Sequence, residues 1–228
     1  MELKNLVKNT MYVSFIAQII TLTIGVSAQF VNLSENDLIL KQALALENLV
    51  QFIEGSFYFW FIYFYTQNVD KIDIAKYRYY DWFLTTPTMI LSSIVYFEYN
   101  NRVNDDKRFT LLEFIKTNSE NIVKLFAYNF GMLITGYLQE IKAINIYVSS
   151  LIGFGFFGLL FSNIYNLYAK QNEKNYPIFF LMISIWSIYG IAAMFNFRLK
   201  NAFYNILDIF SKNFYGLFLA YLVYNLRN

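Results

Sequence analysis

Seven apolar stretches, each long enough to cross a bilayer as a helix, alternate with short polar breaks along this chain, and no other feature narrows the fold so far. They fall at 9–33, 38–66, 77–99, 120–138, 143–169, 176–197 and 202–226. A helix needs roughly 20 apolar residues to span the hydrocarbon layer. The breaks read SEND, QNVDKID, NNRVNDDKR, QEIK, KQNEKN and FRLKN. Connections so short make consecutive helices antiparallel. The expected fold is therefore an all-α membrane protein, a seven-transmembrane-helix bundle forming a single domain over 1–228. The longest break, 102–119, contains LLEFIK, which reads as an amphipathic lead-in to the fourth span.

Composition agrees with lipid as the solvent. Hydrophobic residues make up 57% of the chain and charged ones 15%, where a soluble domain carries about 25% charged. The 25 Phe and 20 Tyr suit interfacial aromatic belts. There is no Cys and no His, which excludes disulfides, thiolate metal sites, cysteine nucleophiles and imidazole bases. No metal site and no enzyme activity are expected. A net charge of +2 gives no footing for nucleic acid. The start, MELKNLVKNT, runs straight into the first span, so no cleavable leader is expected. A slight excess of Lys and Arg on alternate breaks favours a multi-pass protein with its N-terminus extracellular.

Ionisable side chains inside the spans carry the functional signal, because each costs several kcal/mol unless it faces the bundle interior with a partner. The third span begins YRYYDWFLTTPTMILSS and places Arg78 and Asp81 on successive turns. The last reads LDIFSKNFYGLFL, with Asp208 and Lys212 four apart on one face. The second holds Glu47 and Glu54, seven apart and again on one face. Arg78, Asp81, Asp208 and Lys212 can sum to neutrality, as a buried charge cluster requires. A purely structural ion-pair network would satisfy the same count.

RYYDWFLTTP in the third span, together with DIFSK in the seventh, resembles the microbial (type 1) rhodopsins, and the likeness runs over the whole chain. Small size and richness in Asn, Lys, Ile and Tyr are similar to the viral branch of that family. The resemblance implies all-trans retinal held as a covalent Schiff base on Lys212, with Asp81 as primary counterion, Asp208 as second counterion and Arg78 just beyond them. It assigns Trp82, Thr85, Thr86 and Pro87 to the third-helix wall, and Trp186 and Tyr189 to the sixth-helix wall. Met132 and Gly136 stand beside the ring end, and Asn129 where some members have Asp. Gly190 and Ala193 stand where many pumps have Pro and Trp. Membrane lipid, transported protons or cations and a homo-oligomer are the implied partners.

Three functions remain open at this level. Asp81 and Thr85 match outward proton pumps. However, Ser92 stands seven residues after Thr85, where efficient pumps carry an acidic donor, and no Asp or Glu occurs from 176 to 207 to release a proton. Glu47 or Glu54 would then have to return it. A light-gated cation channel is the favoured reading, because Glu54 deep in the second span and Asn213 directly after Lys212 resemble the gate residues of algal channelrhodopsins. Ser14 would complete a Ser–Glu–Asn gate, and a Glu row would line a cation path. A photosensor that signals to a partner is third.

Overall fold

The computed structural model describes residues 3–68, 74–102 and 108–227. The VDKID part of QNVDKID and most of NNRVNDDKR lie outside those residues. Helix α1 covers Leu3–Ala28, α2 Leu38–Asn68 and α3 Ala75–Asn101. The short α4, Leu111–Thr117, precedes α5, Ser119–Glu140, and α6, Ile146–Leu167. Then come α7, Tyr176–Ala192, α8, Phe197–Asp208, a π-helical turn over Ile209–Asn213, and α9, Phe214–Asn225. The last three run on without a break and make the seventh span. The described residues hold no strand.

Consecutive spans pack side by side, and α1 packs on α8 and α9, so the seven spans close into a ring. Among the described residues, four stretches are apolar enough to cross a membrane on hydropathy alone: Asn5–Ala28, Ile146–Gln171, Glu173–Ala192 and Phe197–Asn225. The other three, α2, α3 and α5, carry polar side chains that face inward. Large apolar side chains such as Leu151, Val123, Phe59 and Tyr147 are instead well exposed on the outer surface. An apolar exterior over a polar interior suits lipid as the surrounding solvent.

Local chemistry sets the helix ends. Thr110 and Glu113 form a reciprocal capping box, and LLEFIK becomes α4, a separate helical turn ahead of the fourth span. Lys142, at φ 61°, takes the left-handed conformation in the turn between α5 and α6. Asn145 then caps α6 by accepting from the Tyr147 amide at 2.8 Å, and Asn196 caps α8 from the Leu199 amide at 3.1 Å. The first span ends earlier than the apolar run to 33, because the backbone from 29 on makes turn bonds only.

Asparagines fasten one end of the bundle. Asn175 accepts from Asn100 at 2.8 Å and donates to the Asn101 side chain at 3.0 Å and to the Phe97 carbonyl at 3.3 Å. Asn172 donates to the Asn100 carbonyl at 2.6 Å. At the opposite end Lys200 of α8 makes a buried two-pronged ion pair with Glu140 of α5, at 2.6 and 2.8 Å.

Candidate functional site

Three carboxyl groups converge on one amine. Lys212 Nζ bonds Glu54 of α2, and it lies 3.3 Å from both Asp81 Oδ2 of α3 and Asp208 Oδ1 of α8. Asp208 is reached by Lys212 because one helical turn separates them. Lys212 sits inside the π-helical turn, a distortion that recurs at functional sites in helices. All four side chains are almost wholly buried.

Asp208 is the most heavily hydrogen-bonded of the acids. Tyr58 donates to its Oδ2 at 2.6 Å and Tyr189 to its Oδ1 at 2.7 Å. Arg78 Nη1 reaches Oδ2 at 3.2 Å. The rest of the guanidinium is satisfied by Asn201, 3.2 Å from Nε, and by Asn205. It also lies 5.1 to 5.8 Å from the ring centres of Phe61, Tyr58 and Tyr204. Asp81 is different. Its Oδ1 is buried with no hydrogen-bond partner.

Counting charge, Lys212 and Arg78 contribute two positives, and Glu54, Asp81 and Asp208 three negatives when all are ionised. The balance of −1 means that one proton shared among the carboxyls makes the cluster neutral, as burial demands. The sequence count of four groups omitted Glu54.

Beside Lys212 opens a largely apolar cavity, the kind of concave, apolar space with a few polar groups in which small molecules bind. From α3 it is lined by Tyr79, Trp82, Thr86 and Met89, a helical i, i+3, i+7, i+10 stripe. Met132 and Gly136 line it from α5, and Trp186 and Tyr189 from α7. Trp82 stands edge-on to Tyr189 at 5.5 Å and to Tyr204 at 5.1 Å. A Cβ at Gly136 would strike the Tyr79 hydroxyl, and one at Gly190 would sit 2.6 Å from the Phe154 ring. The walls are apolar and aromatic, and the Lys212 amine meets its carboxylates at the edge of the space. An elongated apolar group attached to Lys212, bearing positive charge at the nitrogen, fits this donor set.

Two expected wall residues are turned away. Pro87 is buried in α3 but is not among the cavity-lining residues, and Thr85 instead bonds the Asp81 carbonyl at 3.1 Å. Both neighbour Thr86, and adjacent residues on a helix point roughly 100° apart. The hydroxyls of Thr85, Thr86 and Thr88 bond carbonyls one turn back, around the position where Pro87 supplies no amide. Asn129 donates to Thr86 at 2.8 Å and ties α5 to α3.

The Ser14–Glu54–Asn213 trio does not form. Glu54 belongs to the Lys212 cluster, while Asn213 donates to Gln51 at 2.8 Å and to Gln18 and Thr21 at 3.0 Å. Gln51 also donates to the Lys212 carbonyl at 3.0 Å. The cause is rotation about the helices: Asn213 follows Lys212 and so faces α1 and the preceding turn of α2. Ser14 Oγ, Gln18 Nε2 and Asn213 Oδ1 are buried without partners. Tyr58, Asn201, Asn205, Gln18 and Gln51 were not singled out in the sequence. The polar Gln18 and Gln51 inside apolar spans were a readable signal; nothing local marks Tyr58 among so many tyrosines.

Comparison with known proteins points the same way. The family model described as bacteriorhodopsin-like protein matches residues 9–226. No curated protein sequence matches the chain. Among solved structures, the viral rhodopsin OLPVRII is 26% identical with a TM-score of 0.83, covering 98% of this chain and 100% of its own. Xanthorhodopsin, described as a light-driven ion pump with dual chromophore, is 16% identical with a TM-score of 0.76, covering 97% and 93%. Bromide-bound halorhodopsin from Halobacterium salinarum is 14% identical with a TM-score of 0.73, covering 98% and 95%. The last two are likenesses of fold.

Proposed function

This chain belongs to the bacteriorhodopsin-like family of microbial rhodopsins, and from that premise we propose that it carries retinal as a Schiff base on Lys212 and acts as a light-gated cation channel. When bound, retinal supplies a light-driven change of shape and a positive charge at the Lys212 nitrogen. The protein's part is to hold that charge and to respond. Asp81, Asp208 and Glu54 surround the nitrogen with negative charge in a site closed to water. Trp82, Trp186 and Tyr189 confine the attached chain by shape and dispersion. The unpartnered Asp81 Oδ1 is open to receive a proton from the nitrogen.

The observation that supports a channel most directly is the polar seam between α1, α2 and the seventh span. Gln18, Thr21, Gln51 and Asn213 meet there, with three buried polar atoms left unpartnered. Such atoms in a lipid-embedded bundle call for water, and a chain of waters lined by amides and carboxyls is a cation path. Gln51 links this seam to the backbone of Lys212. Movement at the lysine therefore disturbs the seam directly.

A second reading, an outward proton pump, is favoured by one contact: Glu47 bonds Ser92, the residue at the position where efficient pumps place their acid. Whole-cell photocurrent recorded against voltage, with retinal added, separates the two. A current that reverses, with a reversal potential that follows the cation gradient, supports the channel. A current that stays outward at every voltage refutes it and supports the pump.

A further inference from the structure

The resemblance puts Gly136 beside the ring, at the end of the cavity away from Lys212, and that end is not hydrocarbon throughout. Tyr79 of α3, Gln139 of α5, and Ser149 and Ser150 of α6 line the same space as Gly136. They come together because α3 and α6 begin at the end of the bundle where α5 stops. Tyr79 lies in the first turns of α3, Gln139 is the last residue but one of α5, and the two serines lie in the first turns of α6. Ala193, just past the end of α7, lines the cavity where many pumps of the family carry Trp. An alanine leaves that volume open.

Tyr79 is the decisive group. Its side chain is 4% exposed, yet among the described residues its hydroxyl has no hydrogen-bond partner. The oxygen is not sealed in protein and faces open space. It stands over Gly136, where any Cβ would collide with it. Glu140, the nearest acid, is engaged by Lys200 at 2.6 and 2.8 Å. A buried phenol ordinarily finds a partner. At the Lys212 end both phenols do, since Tyr58 and Tyr189 donate to Asp208. The side chains of Gln139 and Ser150 are also without hydrogen bonds among the described residues. Ser149 donates to the Thr135 carbonyl at 2.9 Å and keeps its lone pairs to accept.

We propose that the cavity selects a retinal whose ring carries an oxygen, a hydroxyl on ring carbon 3, over the plain hydrocarbon ring. The inference rests on the retinal reading above and names the class of retinal. Carbon 3 lies across the ring from the polyene, so with the chain joined to Lys212 its oxygen reaches furthest toward Tyr79. A hydroxyl there accepts from Tyr79 and donates to Gln139 or a serine. A hydrocarbon ring leaves those groups facing carbon. A site with hydrogen-bonding groups to satisfy discriminates against the analogue that lacks the matching oxygen.

The ring alone tests the site without the covalent bond. Binding of 3-hydroxy-β-ionone and of β-ionone to the full chain prepared without retinal is followed by tryptophan fluorescence, because Trp82 and Trp186 line the cavity. The hydroxylated ring is expected to bind about fivefold more tightly, the worth of one neutral hydrogen bond, and Tyr79→Phe should abolish the preference. The retinal-free chain is then offered equal amounts of all-trans retinal and all-trans 3-hydroxyretinal, and the bound chromophore is extracted and separated by chromatography. The hydroxylated form should dominate in the wild type and lose its lead in Tyr79→Phe. Equal uptake, a lead for plain retinal, or a preference that Tyr79→Phe leaves intact overturns the proposal. Should Tyr79→Phe fail to fold, Gln139→Leu takes its place with the same expected loss. If neither aldehyde gives a pigment, the retinal reading fails and this inference with it. A pigment formed without preference overturns this inference alone.

Discussion

Replacing Tyr58 with Phe removes one hydroxyl and nothing of the ring, and the site puts a number on the result. That hydroxyl donates to Asp208 Oδ2 at 2.6 Å and touches Asn205 at 3.2 Å and Arg78 Nη1 at 3.3 Å. A hydrogen bond to a charged group contributes about 1.5–3 kcal/mol. Arg78 still reaches the same oxygen at 3.2 Å, so Asp208 is weakened without being orphaned. The expected loss is thus about 1.5–3 kcal/mol, or one to two decades in the unfolding equilibrium. Tyr189→Phe should cost a similar amount, because its 2.7 Å bond serves the other oxygen. The two phenols share one carboxylate, so the double variant should lose more than the sum, by about 0.5–3 kcal/mol. The assay is detergent-induced unfolding from bicelles, followed by visible absorbance. If each single variant falls within about 0.5 kcal/mol of wild type, as an ordinary surface change does, the phenols do not hold Asp208 and the reasoning fails.

Asp81→Asn should move the absorption maximum to the red, because it withdraws an anion 3.3 Å from the Lys212 nitrogen and stabilises its positive charge less in the ground state; an unmoved spectrum refutes the counterion assignment. Glu54→Gln should move it too, since Glu54 contacts the same nitrogen, and a change confined to ion selectivity would instead place Glu54 along the path. Lys200→Met removes the cation 2.6 Å from Glu140, whose side chain is 3% exposed, and should cost about 1.5–3 kcal/mol, the worth of a charge-assisted hydrogen bond. Adding Glu140→Leu to it should recover part of that loss in the same unfolding assay, because the carboxylate that lost its 2.6 Å ion-pair partner goes with it.

Much of the architecture was legible along the chain. Spans of about 20 apolar residues report directly on bilayer thickness, and every one of the seven recurs as helix, with ends displaced by a few residues where a cap or turn intervenes. Lys212, Asp81, Asp208 and Arg78 were readable as well, because a charge inside an apolar run is costly and so conspicuous. The cavity stripe Trp82, Thr86, Met132, Gly136, Trp186 and Tyr189 followed from the resemblance, and these residues line one space.

What the chain order does not carry is which faces meet. Tyr58 and Asp208 are 150 residues apart and Gln51 and Asn213 162; only the rotation of each helix about its own axis brings them together. That rotation turned Thr85 and Pro87 away from the cavity, drew Glu54 onto Lys212 and gave Asn213 to Gln18 and Gln51. The π-helical turn around Lys212 adds to it, since one wide turn shifts the register of every later side chain in the span. The sequence by itself therefore determined the number of spans, the solvent they require and the ionisable groups that must be sheltered within them. Tertiary structure alone decided how those groups are paired, because a buried charge is stabilised by whichever neighbour the packing presents.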